Sequence, residues 1–327
     1  MTEPRPRKTD PTGTSFPWGP LPPDLRRLDR EMAQGLGFPS LTDAEFSRLR
    51  DWVEKESGIH LTDAKRGLVM GRLAKRVRAV GATGFGAYIE RALGSAGPEE
   101  RARLLDALCT NETHFFREIH HFDFLEKRVF PSWRVTGTTG RIPRHIRAWS
   151  AACSTGEEPY TLAMVLLKNF PRSSGWSVEV LGTDLSGHAL QRAAAAVWPI
   201  EKAAEIPSAF LKSFMRRGTG PEEGKMKAGP EIREAVHFLR LNLCAEAYPV
   251  SGAFDLIFCR NVLIYFNWDT KRKVIGRLLS HLAPTGYFFS GHAESLNELS
   301  NVVTTLQPTV YRPLRTADST DPTREAP

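Results

Sequence analysis

The chain carries 327 residues, 25% of them charged, with 44 Lys and Arg against 37 Asp and Glu for a net charge of +7. That length accommodates two domains with cores of their own, and no stretch approaches the roughly 18 apolar residues of a membrane-crossing helix, which argues against direct membrane insertion. The N-terminal MTEPRPRKTD lacks the apolar segment of a secretory signal, giving a cytoplasmic reading; the positive balance asks for an acidic partner, and with no zinc finger, RRM-like aromatic signature or long Lys/Arg run that partner is not nucleic acid.

Residues 1–40, rich in Pro, Gly and Arg and without hydrophobic periodicity, read as a disordered tail, as do 316–327. Residues 41–108 have the pattern of a small helical domain. LTDAEFSRLRDWVEKESG opens on Thr42 with Glu45 three residues on, a capping box, and stops at Gly58. LTDAKRGLVMGRLAKRVRAVG repeats the device at Thr62 and stops at Gly81. On a 3.6-residue helix Val69, Met70, Leu73, Val77 and Val80 share an apolar face, while Lys65, Arg72, Lys75 and Arg76 form a basic stripe with no acidic residue interleaved. Such a stripe is ordinarily solvated surface; the alternative is a docking face for an acidic helix.

Residues 109–143 read as a linker with a bridging helix, HHFDFLEKRVF. Strand and helix then alternate through IRAWSAA, PYTLAMVLLKNF, SVEVLGTD and SGHALQRAAAAVW, and later through FDLIFCRNVLIYF, KRKVIGRLLSHL and GYFFSG. This predicts a doubly wound α/β sheet over 144–315. At about 211–243 the turn GTGPEEG interrupts the alternation and predicts a small antiparallel insert. Cys109, Cys153, Cys244 and Cys259 lie far apart without a C-x-x-C pair and read as buried free thiols. His120 and His121 have no carboxylate at ligand spacing, so no metal site is expected, and Phe115 and Phe116 read as core.

In a doubly wound sheet, ligands bind beyond the carboxyl ends of the strands. There the sequence places the turn SAACSTG (150–156) with Glu157 and Glu158 after it, then Asp184, then Arg260 and Asn261, then His292 and Glu294. The small residues let a ligand approach the backbone, but Pro159 removes an N–H donor and the two glutamates repel a phosphate. Asp184, ending the second strand, is placed to hold a ribose diol. A cationic, ribose-bearing ligand without phosphate suits these conditions, and S-adenosylmethionine is such a ligand. Two other readings stay open: a nucleotide-dependent oxidoreductase, and glutamates that only complement the helix dipole.

Four blocks, TNETHFFRE (Thr110 to Glu118), RAWSAACSTGEEPY (Arg147 to Tyr160), FDLIFCRNVLIYF (Phe254 to Phe266) and SGHAES (Ser290 to Ser295), resemble the signatures of CheR-type chemotaxis receptor methyltransferases. The patterns GI-x-L-x-x-x-K (Gly58 to Lys65) and RL-x-x-R (Arg72 to Arg76) extend the likeness over about residues 41–315, in that family's order. It implies a Rossmann-like methyltransferase domain with a small β subdomain and an N-terminal helical domain. The implied reaction moves a methyl group from S-adenosyl-L-methionine to glutamate side chains on chemoreceptor cytoplasmic helices, leaving S-adenosyl-L-homocysteine and a γ-carboxyl methyl ester. Carried over by position, Asn111, Thr113, Arg117, Glu157, Glu158, Asp184, Asn242, Leu243, Asn261 and Val262 look like cofactor contacts, with Glu158 favoured over Glu157. Arg117 and Tyr265 look like the residues of the chemical step, and Lys65, Arg72, Lys75 and Arg76 like a docking face for acidic receptor helices. The loop RGTGPEEG, with Gly218 and Gly220, looks like the form that tethers a C-terminal receptor pentapeptide. The competing readings are a methyltransferase of another substrate and a receptor-binding adaptor without turnover.

Overall fold

The computed structural model describes residues 25–314. The expected C-terminal tail and residues 1–24 of the expected N-terminal tail lie outside them. The remainder of the N-terminal expectation is corrected: LRRLDREMAQGL forms helix α1 (Leu25–Leu36), and its Ala33 is buried in the helical core. Four more helices complete this domain: α2 (Asp43–Ser57), α3 (Arg66–Ala79), α4 (Phe85–Leu93) and α5 (Gly97–Leu108). The apolar stripes meet as the periodicity requires, with Phe46, Leu49 and Val53 of α2 packed in one core with Val69, Met70, Leu73 and Val77 of α3 and with Tyr88 and Leu104.

The cap at Thr42 forms as expected, its hydroxyl accepting from Glu45 N while the Glu45 carboxylate accepts from Thr42 N at 2.8 Å. At Thr62 the expectation fails. Its side chain makes no cap hydrogen bond; its carbonyl accepts from Lys65 N at 2.9 Å, closing a 3₁₀ turn over Asp63–Lys65, and α3 starts only at Arg66.

The second body is built on a seven-stranded sheet. Its strands are β1 (His145–Ala151), β2 (Ser177–Asp184), β6 (Val236–Arg240), β7 (Phe254–Cys259), β8 (Leu282–Ser290), β9 (Val303–Gln307) and β10 (Val310–Pro313), in the order β6-β2-β1-β7-β8-β10-β9. The first five run parallel, and only β10 and β9 are antiparallel to their neighbours. The chain leaves β1 toward β2 and β6 and returns to its other side as β7, so the switch point lies between β1 and β7. Register brings the carboxyl ends level: Ala151 lies opposite Thr183 on one side and Cys259 on the other.

The expected helix HHFDFLEKRVF forms, but the reading of its segment as a linker is corrected. Residues 109–143 contain α6 (His120–Phe124), a π turn over Leu125–Val129 and α7 (Phe130–Thr138). Phe115, Phe116, Phe122, Leu125 and Phe130 are buried in the same core as Ile146, Ala148, Phe258 and Phe289. The segment is a layer of the α/β domain, because its aromatic side chains cover one face of the sheet. The other helices are α8 (Glu157–Asn169), α9 (Gly187–Ala195), α10 (Ser208–Phe214), α11 (Pro230–Ala235) and α12 (Trp268–Ser280). The insert is real but shifted. Strands β3 (Val197–Pro199), β4 (Met215–Arg217) and β5 (Lys225–Ala228) form a separate antiparallel sheet, whereas Val236–Arg240 pairs with β2 and belongs to the main sheet. Its start was hidden because β3 is only three residues long and follows an alanine run.

Backbone and side-chain bonds seat the helical domain on the sheet's carboxyl edge. Ile59 and Phe266 form an antiparallel bridge, and His60 N donates to Tyr265 O at 2.8 Å. Asn242 Nδ2 donates to Glu56 O at 2.6 Å, and Asn267 Nδ2 to Glu54 Oε1 at 2.9 Å. Gly58 makes the approach possible: it caps α2 with φ of 71°, and a Cβ there would lie 2.3 Å from Cys244 Sγ.

Candidate functional site

The turn after β1 bends through left-handed backbone at Ala152, Ser154 and Gly156. Its single glycine is explained by packing. A Cβ on Gly156, whose φ is 97°, would lie 2.9 Å from Ala193 Cβ, so α8 and α9 could not meet as they do. The two following glutamates, one residue apart on a helix, point to different neighbours. Glu157 is 1% exposed, accepts from the Thr155 hydroxyl at 2.7 Å and pairs with Lys202 at 2.8 Å, away from the sheet edge. Glu158 accepts from the Ser150 hydroxyl at 2.7 Å and from Arg260 Nε at 2.6 Å. Both charges therefore have internal partners, which softens the electrostatic argument drawn from the sequence. Asp184 accepts from Ser154 N at 2.8 Å and Ser186 N at 2.9 Å; burial raises its pKa, and those two amides oppose the rise. Each Asp184 oxygen keeps a lone pair for a further donor.

Between this edge and the helical domain lies a cleft partly open to solvent. Its lining includes Asn111, Thr113, Arg117, Glu158, Asp184, Asn242, Leu243, Asn261, Val262 and Tyr265, together with Lys65 and Arg72. Among the described residues, five of the seven non-glycine positions with positive φ, Phe116, Glu118, Ala152, Ser154 and Asn261, stand in the loops around it. Such strain persists only where surrounding bonds over-determine the backbone. For Asn261 that bond network is Glu294, 1% exposed, whose carboxylate accepts from Asn261 N and Gly291 N at 2.7 Å and from Ile264 N at 3.2 Å. Asn242 lines the cleft with its amide already engaged, its Oδ1 accepting from Cys244 N at 2.9 Å. Glu157 does not line the cleft, and its expected cofactor contact is corrected accordingly.

Residues 111–312 match the family described as CheR methyltransferase, SAM binding domain, and residues 44–109 match CheR methyltransferase, all-alpha domain. The chain belongs to the CheR methyltransferase family. It is 37% identical to the chemotaxis protein methyltransferase of Escherichia coli (strain K12), over 83% of this chain and 91% of that protein. It is 35% identical to chemotaxis protein methyltransferase 2 of Pseudomonas aeruginosa, covering 83% and 94% respectively, and 35% identical to the chemotaxis protein methyltransferase of Salmonella typhimurium, covering 89% and 96%. The enzyme is thus an S-adenosylmethionine-dependent methyltransferase of a chemotaxis family. The cleft fits that cofactor chemically: Glu158 and Asp184 offer carboxylates for a cation and a sugar diol, beside apolar walls at Leu241, Leu243 and Phe266. The oxidoreductase reading is set aside.

The basic stripe is not a uniform face. Arg76 donates to both oxygens of Glu100 on α5, at 2.8 and 2.5 Å, and Tyr88 O–H joins at 2.9 Å. The neutralising acid, absent from the stripe's own helix, comes from the neighbouring one. Arg72 donates to Leu108 O and, at 2.7 Å, to the Thr110 hydroxyl, tying α3 to the segment that enters the cleft. Lys65 is half-buried, its ammonium 5.7 Å from the Tyr265 ring centre, and burial followed by the nearby Arg72 charge lowers its pKa. Of the four, only Lys75 is exposed; the others are half-buried. Arg76→Met is expected to destabilise the helical domain by about 3 kcal/mol, because it strands a buried carboxylate; Lys75→Met should stay within about 0.5 kcal/mol. Urea titration checks both. The Arg76 hydrogen bond holds Glu100 below the usual carboxylate range. A depressed folded-state value means this contribution is full at neutral pH and is lost as pH falls below the ordinary glutamate value of about 4.3.

Gly218 and Gly220 lie in the β4–β5 loop, outside the cleft lining. Gly218 N donates to Lys225 O at 2.9 Å, and Gly220 has φ of 58°, so both glycines serve the turn itself. Residues that the sequence reading left without a role are Arg260 and Glu294. Both were placed at strand ends, but their partners lie far along the chain. The expectation that His120 and His121 lack a carboxylate at ligand spacing is corrected: Glu118, His120 and His121 present ligand-type atoms within 4.8 Å of one another. Positive charge is already supplied there by Arg260 Nη1, 3.2 Å from His121 Nδ1 and 3.7 Å from Glu118 Oε2.

Proposed function

We propose that the enzyme methylates glutamate side chains on acidic helices of chemoreceptors, in the cytoplasm, forming base-labile γ-carboxyl methyl esters. The observation that carries this reading is the make-up of the cleft. Lys65, Arg72 and Arg117 line it beside Glu158 and Asp184, and no histidine is among its lining residues. A site that receives an anion already ionised needs cations to hold it and no general base to activate it. A glutamate carboxylate, with a pKa of about 4.3, is such an acceptor at neutral pH.

S-adenosylmethionine supplies an electrophilic methyl group on a sulfonium. The chain's work is then positioning, which can lower such a barrier by several kcal/mol. In this reading Glu158 holds the cationic end of the cofactor and Asp184 its ribose, with Asn111, Thr113, Asn242, Leu243, Asn261 and Val262 completing the pocket. Arg117 orients the acceptor carboxylate, and Tyr265 supplies a positioning hydrogen bond. Opposite charges cancel as the methyl moves, so a roof that limits water favours the step. The bridge between Ile59 and Phe266 holds that roof in place. The four free thiols suit a reducing compartment.

The test is transfer of tritium from methyl-labelled S-adenosylmethionine to a receptor cytoplasmic fragment. The reading predicts protein-bound label released as volatile methanol by mild alkali. Alkali-stable label would indicate another acceptor, and binding without label an adaptor. For the β4–β5 loop we propose a tethering role. Calorimetric titration with an Asn-Trp-Glu-Thr-Phe peptide should give saturable heat that is lost when Gly218–Gly224 is deleted; no heat from the intact chain would refute it.

A further inference from the structure

The least accessible cation at the sheet edge is Arg260, whose side chain is 1% exposed. Its Nε donates to Glu158 Oε2 at 2.6 Å, while its Nη1 donates to Arg117 O at 2.7 Å and to His121 Nδ1 at 3.2 Å. One guanidinium thus joins α8, the strained segment before α6, and α6 itself. The fork is oriented from behind. A guanidinium only donates, so His121 Nδ1 accepts and its proton sits on Nε2, which donates to the Thr309 hydroxyl at 2.7 Å. Thr309 in turn donates to Pro308 O at 2.6 Å. Burial and then the Arg260 charge push the His121 pKa down to about 2, so the ring stays a neutral acceptor.

We propose that Arg260 is a positioning residue for cofactor binding: with Ser150 it holds the Glu158 carboxylate in the rotamer that receives the amino group of S-adenosylmethionine. Arg260 lines the cleft, yet its Nε and Nη1 are directed to the protein, and it acts through Glu158. A carboxylate gripped at one oxygen by Arg260 Nε and at the other by Ser150 Oγ has its remaining lone pairs fixed in direction. This rests on the proposed role of Glu158 at the amino-acid end of the cofactor, and the experiment separates the two.

Calorimetry measures binding of S-adenosylhomocysteine and of 5′-methylthioadenosine, which has the same nucleoside but lacks the amino-acid end. The proteins are the wild type, Glu158→Gln, Arg260→Met, Arg260→Lys and the Glu158→Gln/Arg260→Met pair. Arg260→Met is expected to weaken S-adenosylhomocysteine by about 10- to 100-fold, the scale of a charge-assisted hydrogen bond, while methylthioadenosine stays within about twofold. On the Glu158→Gln background the same change should cost less than about threefold, since coupled residues are not additive. Equal weakening of both ligands, or full additivity, would reduce Arg260 to a general structural part and overturn the proposal. If Glu158→Gln binds S-adenosylhomocysteine normally, the assignment of Glu158 fails and takes the proposal with it. If Glu158→Gln weakens it but Arg260→Met does not, only the proposal fails. Arg260→Lys decides the matter should the methionine variant not fold. It cannot reach all three acceptors, so selective loss of S-adenosylhomocysteine supports positioning; wild-type affinity, or equal loss of both ligands, refutes it.

Discussion

Arg117→Ala is expected to reduce methyl transfer to a receptor fragment by about 100- to 1,000-fold, with the loss in kcat rather than in the KM for S-adenosylmethionine. Arg117 stands on the Thr110–Glu118 segment, its backbone carbonyl fixed by Arg260 at 2.7 Å and its Nη1 donating to Glu112 O at 3.3 Å. Arg117 lines the cleft among residues from both domains. A planar two-donor group held in this way matches a carboxylate better than a lysine would, so Arg117→Lys should recover only a small part of the rate. Turnover within about threefold of the wild type would remove Arg117 from the chemical step. A rise confined to the KM for S-adenosylmethionine would move it from the acceptor to the cofactor's own carboxylate.

Glu294→Ala is expected to cost about 3 kcal/mol of stability and at least about 100-fold in activity. The carboxylate is buried and serves as acceptor for three backbone amides, of Asn261, Gly291 and Ile264. Burial raises its pKa, and the amides act against that rise. Without it these donors lose their shared acceptor, and Asn261 loses what holds it at φ of 59°. Glutamine is a poor substitute, because its NH₂ would face an N–H donor where a second acceptor is required. Denaturant titration and initial rates, measured on Glu294→Ala and Glu294→Gln, check both parts. A stable variant with normal turnover would show that the loop after β7 is set elsewhere.

What the sequence made legible was local. The capping box at Thr42, the small-residue turn after β1, the alternation of strands and helices, and the acid ending β2 depend on neighbours within a few residues, and each formed. The errors at the charged side chains share a long-range cause. Glu157 and Glu158 are adjacent and chemically alike, and they are told apart by Lys202 and Arg260, which the fold brings from 45 and 102 positions away. The acid that neutralises Arg76 sits 24 residues on, in α5. Helix α1 was obscured by the Pro- and Arg-rich composition around it, and the bridging segment by the absence of a strand signal, although its phenylalanines cover the sheet. Arg260 was visible as a charge at a strand end. The bonds of its Nε and Nη1 to Glu158, Arg117 and His121 could not be read from spacing.

The most direct test of the account is a crystal structure of the enzyme with S-adenosylhomocysteine. The product is expected in the cleft beneath the α2–α3 connection, its amino group on Glu158 and its ribose hydroxyls on Asp184, with Glu157 still paired to Lys202. A nucleoside seated outside that cleft, or a ribose turned away from Asp184, would contradict it.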